Sequence, residues 1–183
     1  MKALYANKHN ISNAVLFQFC WFTAILGEWY LALIPLVVMF VHLVFIKATG
    51  LFILIVLSLI GMTFDSIYHY LGVYQFAPDT VFIPLLNIPL WLSVLWLAFC
   101  MTLPVSLAWM LRKPYLFVLG CSLLGPISYM AGRRFGVLEF SDSNAWFLIL
   151  EWSVFSLIAL IFLFSKLTVS KASLTFFKKE SIC

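Results

Sequence analysis

Charge is the scarcest commodity in this chain. Asp, Glu, Lys and Arg make up 10% of 183 residues, where a soluble domain carries roughly a quarter. With so few charges to wet its surface, a water-soluble globule of this length is excluded. Basic residues occur singly or in pairs and form no patch interleaved with aromatics, so nucleic acid is not an expected partner. The cysteines are Cys20, Cys100, Cys121 and Cys183. They form no CxxC pair and no Cys/His spacing suited to a metal, so no metal centre is expected and the thiols read as inert. GxSxG, HExxH and clustered acidic metal sites are missing too, which leaves no convincing nucleophile, and the residues name no particular cofactor.

Long apolar runs fill the space that charge has vacated. Hydrophobic residues are 64% of the chain and mean hydropathy is +1.09. Apolar segments fall at 11–27, 29–46, 51–73, 89–111, 115–131 and 145–164, each near the ~20 residues that cross a bilayer core as helix. Their continuous apolarity, without period-two alternation, points to helices over a barrel. The start, MKALYANKHN before an apolar run, lacks a small-x-small cleavage site, so the first segment reads as an uncleaved span. The expected fold is an all-α membrane protein with six transmembrane helices in a domain spanning 1–165. A basic cytoplasmic tail, 166–183, would lie on the inner leaflet as an interfacial helix.

Orientation follows from Lys and Arg. With the N-terminus cytoplasmic, Lys2, Lys8, Lys47, Arg112, Lys113, Lys166, Lys171, Lys178 and Lys179 collect inside, against only Arg133 and Arg134 outside. Both termini are therefore expected in the cytoplasm. Glu28, Asp79, Glu139 and Asp142 fall at or beyond the outer ends. The connection YQFAPDTVFIPLLNI is apolar enough to cap the bundle. A short echo links LGVYQF after the third run to FGVLEF after the fifth, each followed by an acidic loop and a tryptophan, Trp91 or Trp146, which suggests repeated helical hairpins.

Against this background GMTFDSIYHY is conspicuous, because Asp65 and His69 stand in oil. A carboxylate at mid-membrane costs roughly 3 kcal/mol on insertion scales, so it should face protein or water and have a partner. At 1.5 Å per residue, Asp65 lies about 12 Å below the outer end of its helix, His69 about 6 Å, Glu151 about 9 Å and Gln18 about 14 Å. Helical stripes align Gly61, Asp65, Tyr68, His69 and Gly72 on the third run, Gln18, Trp21, Ile25 and Glu28 on the first, and Gly125, Tyr129 and Gly132 on the fifth. These stripes predict a polar cavity open to the outer face. Its candidate ligand-binding residues are Gln18, Trp21, Asp65, His69, Tyr129, Arg133 and Glu151, with Asp65 pairing His69 at i, i+4 and an arginine reaching Glu151 or Asp65 across helices. Bland alternatives stand beside each. Asp–His can be a packing contact, Glu151 can snorkel, the arginines can touch lipid phosphate, Gly125-Pro126 can be a packing kink, and Trp29, Trp91 and Trp146 can form an interfacial belt.

In NAVLFQFCWFTAILG, TFDSIYHYLGVYQF, IPLWLSVLWLAFCMTLPVSLAWM and LLGPISYMAGRRFGVLEF, the chain resembles a small bacterial inner-membrane family catalogued only as a domain of unknown function. The specific pieces are F-Q-x-x-W (Phe17, Gln18, Trp21), Asp65-Ser66, W-x-x-x-x-W (Trp91, Trp96) and G-P-x-x-Y-x-x-G (Gly125, Pro126, Tyr129, Gly132). His69 and Glu151 fall outside this signature. The resemblance implies a multi-pass protein of the bacterial inner (plasma) membrane and, through the neighbours of similar proteins, a link to fatty-acyl-modifying enzymes. Three functions compete: a permease or binding protein for a small or lipidic ligand, acting as a homodimer; an intramembrane lipid-modifying enzyme with Asp65 and His69 as acid and base; and a non-catalytic subunit of a lipid enzyme.

Overall fold

The computed structural model describes residues 2–27, 29–46, 50–78 and 80–169, with side chains described from residue 8 to residue 164 within those ranges. Glu28, Asp79 and the expected interfacial tail from residue 170 onward lie outside the described residues. The helices are α1 (Lys2–Leu26), α2 (Leu33–Phe45), α3 (Leu51–Tyr70), α4 (Leu90–Thr102), α5 (Ala108–Leu111), α6 (Pro114–Arg134) and α7 (Ala145–Val169). A 3-10 turn, Trp29–Ala32, leads into α2. By length and composition, three stretches are able to cross a membrane: Leu51–Tyr70, Pro114–Arg134 and Asp142–Phe164. Trp29–Phe45 and Leu90–Thr102 are apolar but shorter. The expected fourth span, 89–111, is not one helix: α4 stops at Thr102, before Pro104, and α5 resumes at Ala108. A proline ring clashes with the preceding turn and offers no N–H, which breaks the ladder there.

The neighbour relations place α1 against α2 and α4, α4 against α3, α3 against α7, and α7 against α6. Apolar side chains such as Leu57, Leu95, Phe117, Leu148 and Phe155 fill the seams, while Phe45, Phe52, Leu124 and Ile161 point outward. An outward apolar surface of this kind suits a lipid solvent.

Two hairpins within this bundle are built alike. Residues 58–76 align without a gap on 122–140, with identities at Ser58/Ser122, Leu59/Leu123, Gly61/Gly125, Gly72/Gly136, Val73/Val137 and Phe76/Phe140. Gly72 and Gly136 have φ of 71° and 74°, a left-handed conformation that costs a side chain about 1–2 kcal/mol. Each closes its helix with the same pair of bonds. Gly72 N–H donates to His69 O and Val73 N–H to Tyr68 O; Gly136 N–H donates to Arg133 O and Val137 N–H to Gly132 O. This 6→1 closure turns the chain sharply into an extended segment. The segments then pair: β1 (Gln75–Phe76) runs antiparallel to β4 (Leu138–Glu139), with Gln75 opposite Glu139 and Phe76 opposite Leu138. Gln75 and Glu139 are aligned residues facing each other, so a local two-fold axis passes between them. β2 (Phe82–Ile83) and β3 (Ile88–Pro89) form a small hairpin found only in the first copy. The repeat suggested by LGVYQF and FGVLEF therefore has a structural counterpart longer than the echo itself.

The correspondence continues inside the bundle. Ser58 and Ser122 each donate back to the carbonyl four residues earlier, at 2.8 and 2.7 Å. A Cβ on Gly61 would lie 2.4 Å from the Trp96 ring, and one on Gly125 would lie 2.1 Å from the Trp152 ring. Each glycine thus seats the tryptophan of its own hairpin. The two indoles stack on each other, with centroids 5.0 Å apart and planes 14° from parallel. The layering of glycine, indole, indole and glycine binds α3 and α4 to α6 and α7, because aromatic faces bring large buried area into a narrow gap.

Candidate functional site

One turn beyond Gly61, toward the strand end, Asp65 is fully buried. Its Oδ1 accepts hydrogen bonds from the Tyr129 hydroxyl at 2.5 Å and from the Tyr74 hydroxyl, and its Oδ2 accepts one from Trp96 Nε1–H. The donors come from α6, from the segment after α3, and from α4. Asp65 and Tyr129 are themselves aligned positions of the repeat, one turn past Gly61 and Gly125. Burial first, and next the Asp65 carboxyl, push the Tyr74 hydroxyl well above the ordinary phenol range, so it remains a donor.

Glu151 of α7 is 2% exposed. Neither of its oxygens receives a donor among the described residues. It lies within hydrogen-bonding reach of the Asp65 carboxyl and near Tyr68. No basic side chain bonds either carboxyl among the described residues. The Trp152 indole N–H is another buried group without a partner. The repeat explains it: the place that gives Trp96 its acceptor, Asp65, is occupied in the second hairpin by Tyr129, whose hydroxyl is committed to Asp65.

The candidate residues do not all meet. Asp65, Tyr129 and Glu151 come together. Gln18 does not: it sits on the exposed side of α1, and the buried polar residue of that helix is Asn13, held by Ser106 Oγ at 2.8 Å. Trp21 is half-buried and packs edge-on against Phe135. His69 turns from Asp65 to the Tyr74 carbonyl, 3.2 Å from its Nδ1, and stacks near Phe76 and Phe82. The helix ends at Tyr70 and folds back, so that carbonyl reaches the imidazole first. Arg133 pairs at 2.5 Å with Asp142 and covers the Phe140 ring, so it reaches neither buried carboxyl. Trp91 is buried against Phe76 and is no belt residue, whereas Trp146 is exposed. Sequence reasoning missed Tyr74 and Trp96 as partners of Asp65. Trp96 stood in the W-x-x-x-x-W motif, but nothing in its spacing indicated where its N–H points.

The expected open cavity is thus divided. Above the buried cluster, at the strand end, lies a cleft of about 600 Å³ lined by Gly72, Tyr74, Gln75, Arg133, Glu139 and Asn144, among others. Below it lie the two carboxyls, sealed from it. Tyr74 belongs to both: it lines the cleft and its hydroxyl bonds Asp65. A second polar contact stands elsewhere, where His9 Nδ1 and His42 Nε2 approach to 2.8 Å. Cys20, Cys100 and Cys121 are buried and unbridged. No group of three or more His, Cys, Asp or Glu among the described residues is arranged to hold a metal.

Three helices long and apolar enough to cross a bilayer, packed around a sealed polar cluster, are the features of a helical membrane protein. Within that class the chain belongs to the family described as protein of unknown function (DUF2878), whose profile matches residues 10–169. No curated protein and no solved structure matches it.

Proposed function

We propose that this is a multi-pass protein of the bacterial inner membrane, crossing six times with both termini cytoplasmic, that binds or moves a small or lipidic ligand through the cleft at its outer end. The Lys and Arg asymmetry supports the orientation, and α1, Trp29–Phe45 and the broken 90–111 segment would supply the remaining crossings. One observation carries the functional reading. Asp65 is ionisable, completely buried in an apolar bundle, and linked by Tyr74 to the floor of a cleft. A chain retains an acid at such a depth at considerable cost, and a polar site near a broken helix is how many membrane transporters are organised.

The cleft is tested with the full chain in vesicles of phosphatidylethanolamine and phosphatidylglycerol, released into native mass spectrometry. Wild type is expected to retain a phospholipid, and Ser141→Trp, which places an indole at a residue that also lines the cleft, to lose it. A wild type that retains nothing, or retention indifferent to Ser141→Trp, overturns the cleft as a binding place. Orientation is read from Ser143→Cys with a membrane-impermeant thiol reagent. Labelling is expected from the outer face, and labelling only from the cytoplasmic face would reverse the topology.

A further inference from the structure

The bonding around Asp65 and Glu151 is lopsided in a way that assigns a ligand. Asp65 receives three donors, which suits an ionised carboxylate. Glu151 receives none, although it is equally sealed from water. A buried carboxylate without a donor or a cation is not tolerated, and two carboxyls in contact cannot both be ionised, so the pair holds a proton between them. The titratable groups facing the pair are Tyr68, Tyr74 and Tyr129, all phenols; α4 contributes only the Trp96 N–H. None of them is a base that could take the proton instead.

We propose that Asp65 and Glu151 form one exchangeable proton-binding site beside the internal two-fold axis, with the proton resident on Glu151 and donated to Asp65. Asp65, Tyr74 and Trp96 belong to the first hairpin, and Glu151 and Tyr129 to the second. The proton therefore fastens one copy of the repeat to the other. On release, the Glu151 O–H bond breaks, the proton passes to a water molecule admitted from the cleft side, and both carboxyls are left negative. Their repulsion then acts across the boundary between the hairpins, opposed by the Tyr129 bond, the indole stack and the β1–β4 pairing. As the coupling ion of a binding or transport protein, this proton rests on the function proposed above; as a binding site it rests on the burial of both carboxyls and on the missing donors of Glu151.

Infrared difference spectroscopy of the full chain in lipid nanodiscs, stepped through pH, tests it through the carbonyl stretch of a protonated carboxyl. Wild type is expected to show one such band that titrates as a single coupled event. Glu151→Gln should abolish it. Asp65→Asn should keep a titrating band but move its titration to lower pH, since the neutral neighbour no longer repels the ionised form. Tyr129→Phe should keep the band at a shifted frequency. Near-ultraviolet circular dichroism of the Trp96–Trp152 stack reports that each variant is folded. A wild type without a titrating band, or a band that survives Glu151→Gln in a folded protein, overturns the site. A titrating band in a protein that retains no phospholipid would sustain the proton site and remove the lipid cleft, so the two proposals fail separately.

Discussion

In the α3–α4 hairpin, the residue one turn beyond the glycine that seats a tryptophan is Asp65; in the α6–α7 hairpin, the aligned residue is Tyr129. The frame around them matches: the serine that back-bonds its own helix, the left-handed glycine at the helix end, and the strand that follows. At this place within the shared frame the copies differ, and the difference is acceptor against donor. Because the axis brings the two positions together, the tyrosine of one copy becomes a ligand of the aspartate of the other. The cost of the exchange falls on Trp152, whose N–H has lost the acceptor its counterpart Trp96 enjoys. Small residues and stacked rings hold the frame, and the exchange of Asp65 for Tyr129 within it brings an acceptor to a donor.

Asp65→Ala breaks the comparison most severely. It strands three buried donors, each costing about 1–3 kcal/mol, for a total loss of roughly 4 kcal/mol once the relief of an unburied charge is counted. Thermal unfolding in a mild detergent should show it. Next come Gly61→Ala and Gly125→Ala, each expected to cost about 3 kcal/mol, because the added methyl meets a rigid indole that has no room to withdraw. The informative result is their equality. A large loss at one and none at the other would mean that the hairpins are not equivalent supports.

Tyr129→Phe removes one charge-assisted bond while keeping the ring, and about 1.5 kcal/mol is expected from the same unfolding measurement. Gly72→Ala and Gly136→Ala meet no neighbouring atoms, so each pays only the left-handed conformation, about 1 kcal/mol. Smallest of all is Arg133→Gln. Its partner Asp142 is almost fully exposed, and an ion pair in that setting contributes within about 0.5 kcal/mol. A larger loss would show that Arg133 supports the cleft through Phe140 more than through charge.

Some of this was legible in the residues alone. Asp65 announced itself because an acid in a run such as LFILIVLSLIGMTF has to be compensated, whatever the fold. The similar level expected for Asp65 and Glu151 followed from counting rise per residue along two helices. Gln18 misled because helical periodicity fixes which residues share a stripe, but not which way that stripe faces; on α1 the stripe turned Ile25 inward and left Gln18 outside. His69 misled because i, i+4 spacing makes an Asp–His contact available without making it the best one. The Gly72 turn supplied a nearer carbonyl. Arg133 found Asp142 across a short loop, and a local partner costs less ordering than a distant one.

What the sequence determined by itself was the solvent and the punctuation. A chain with so little charge and such long apolar runs suits lipid and satisfies its backbone as helix, and the glycines and prolines mark where those helices stop. Only the tertiary structure decided that the copies face each other across an axis, so that Asp65 acquired a phenol from its own counterpart and a second acid from α7. The reason is physical: periodicity along a helix is set by local geometry, whereas the rotation of one helix about another is set by how glycines and indoles fit, a property that belongs to pairs of segments and is written in neither one.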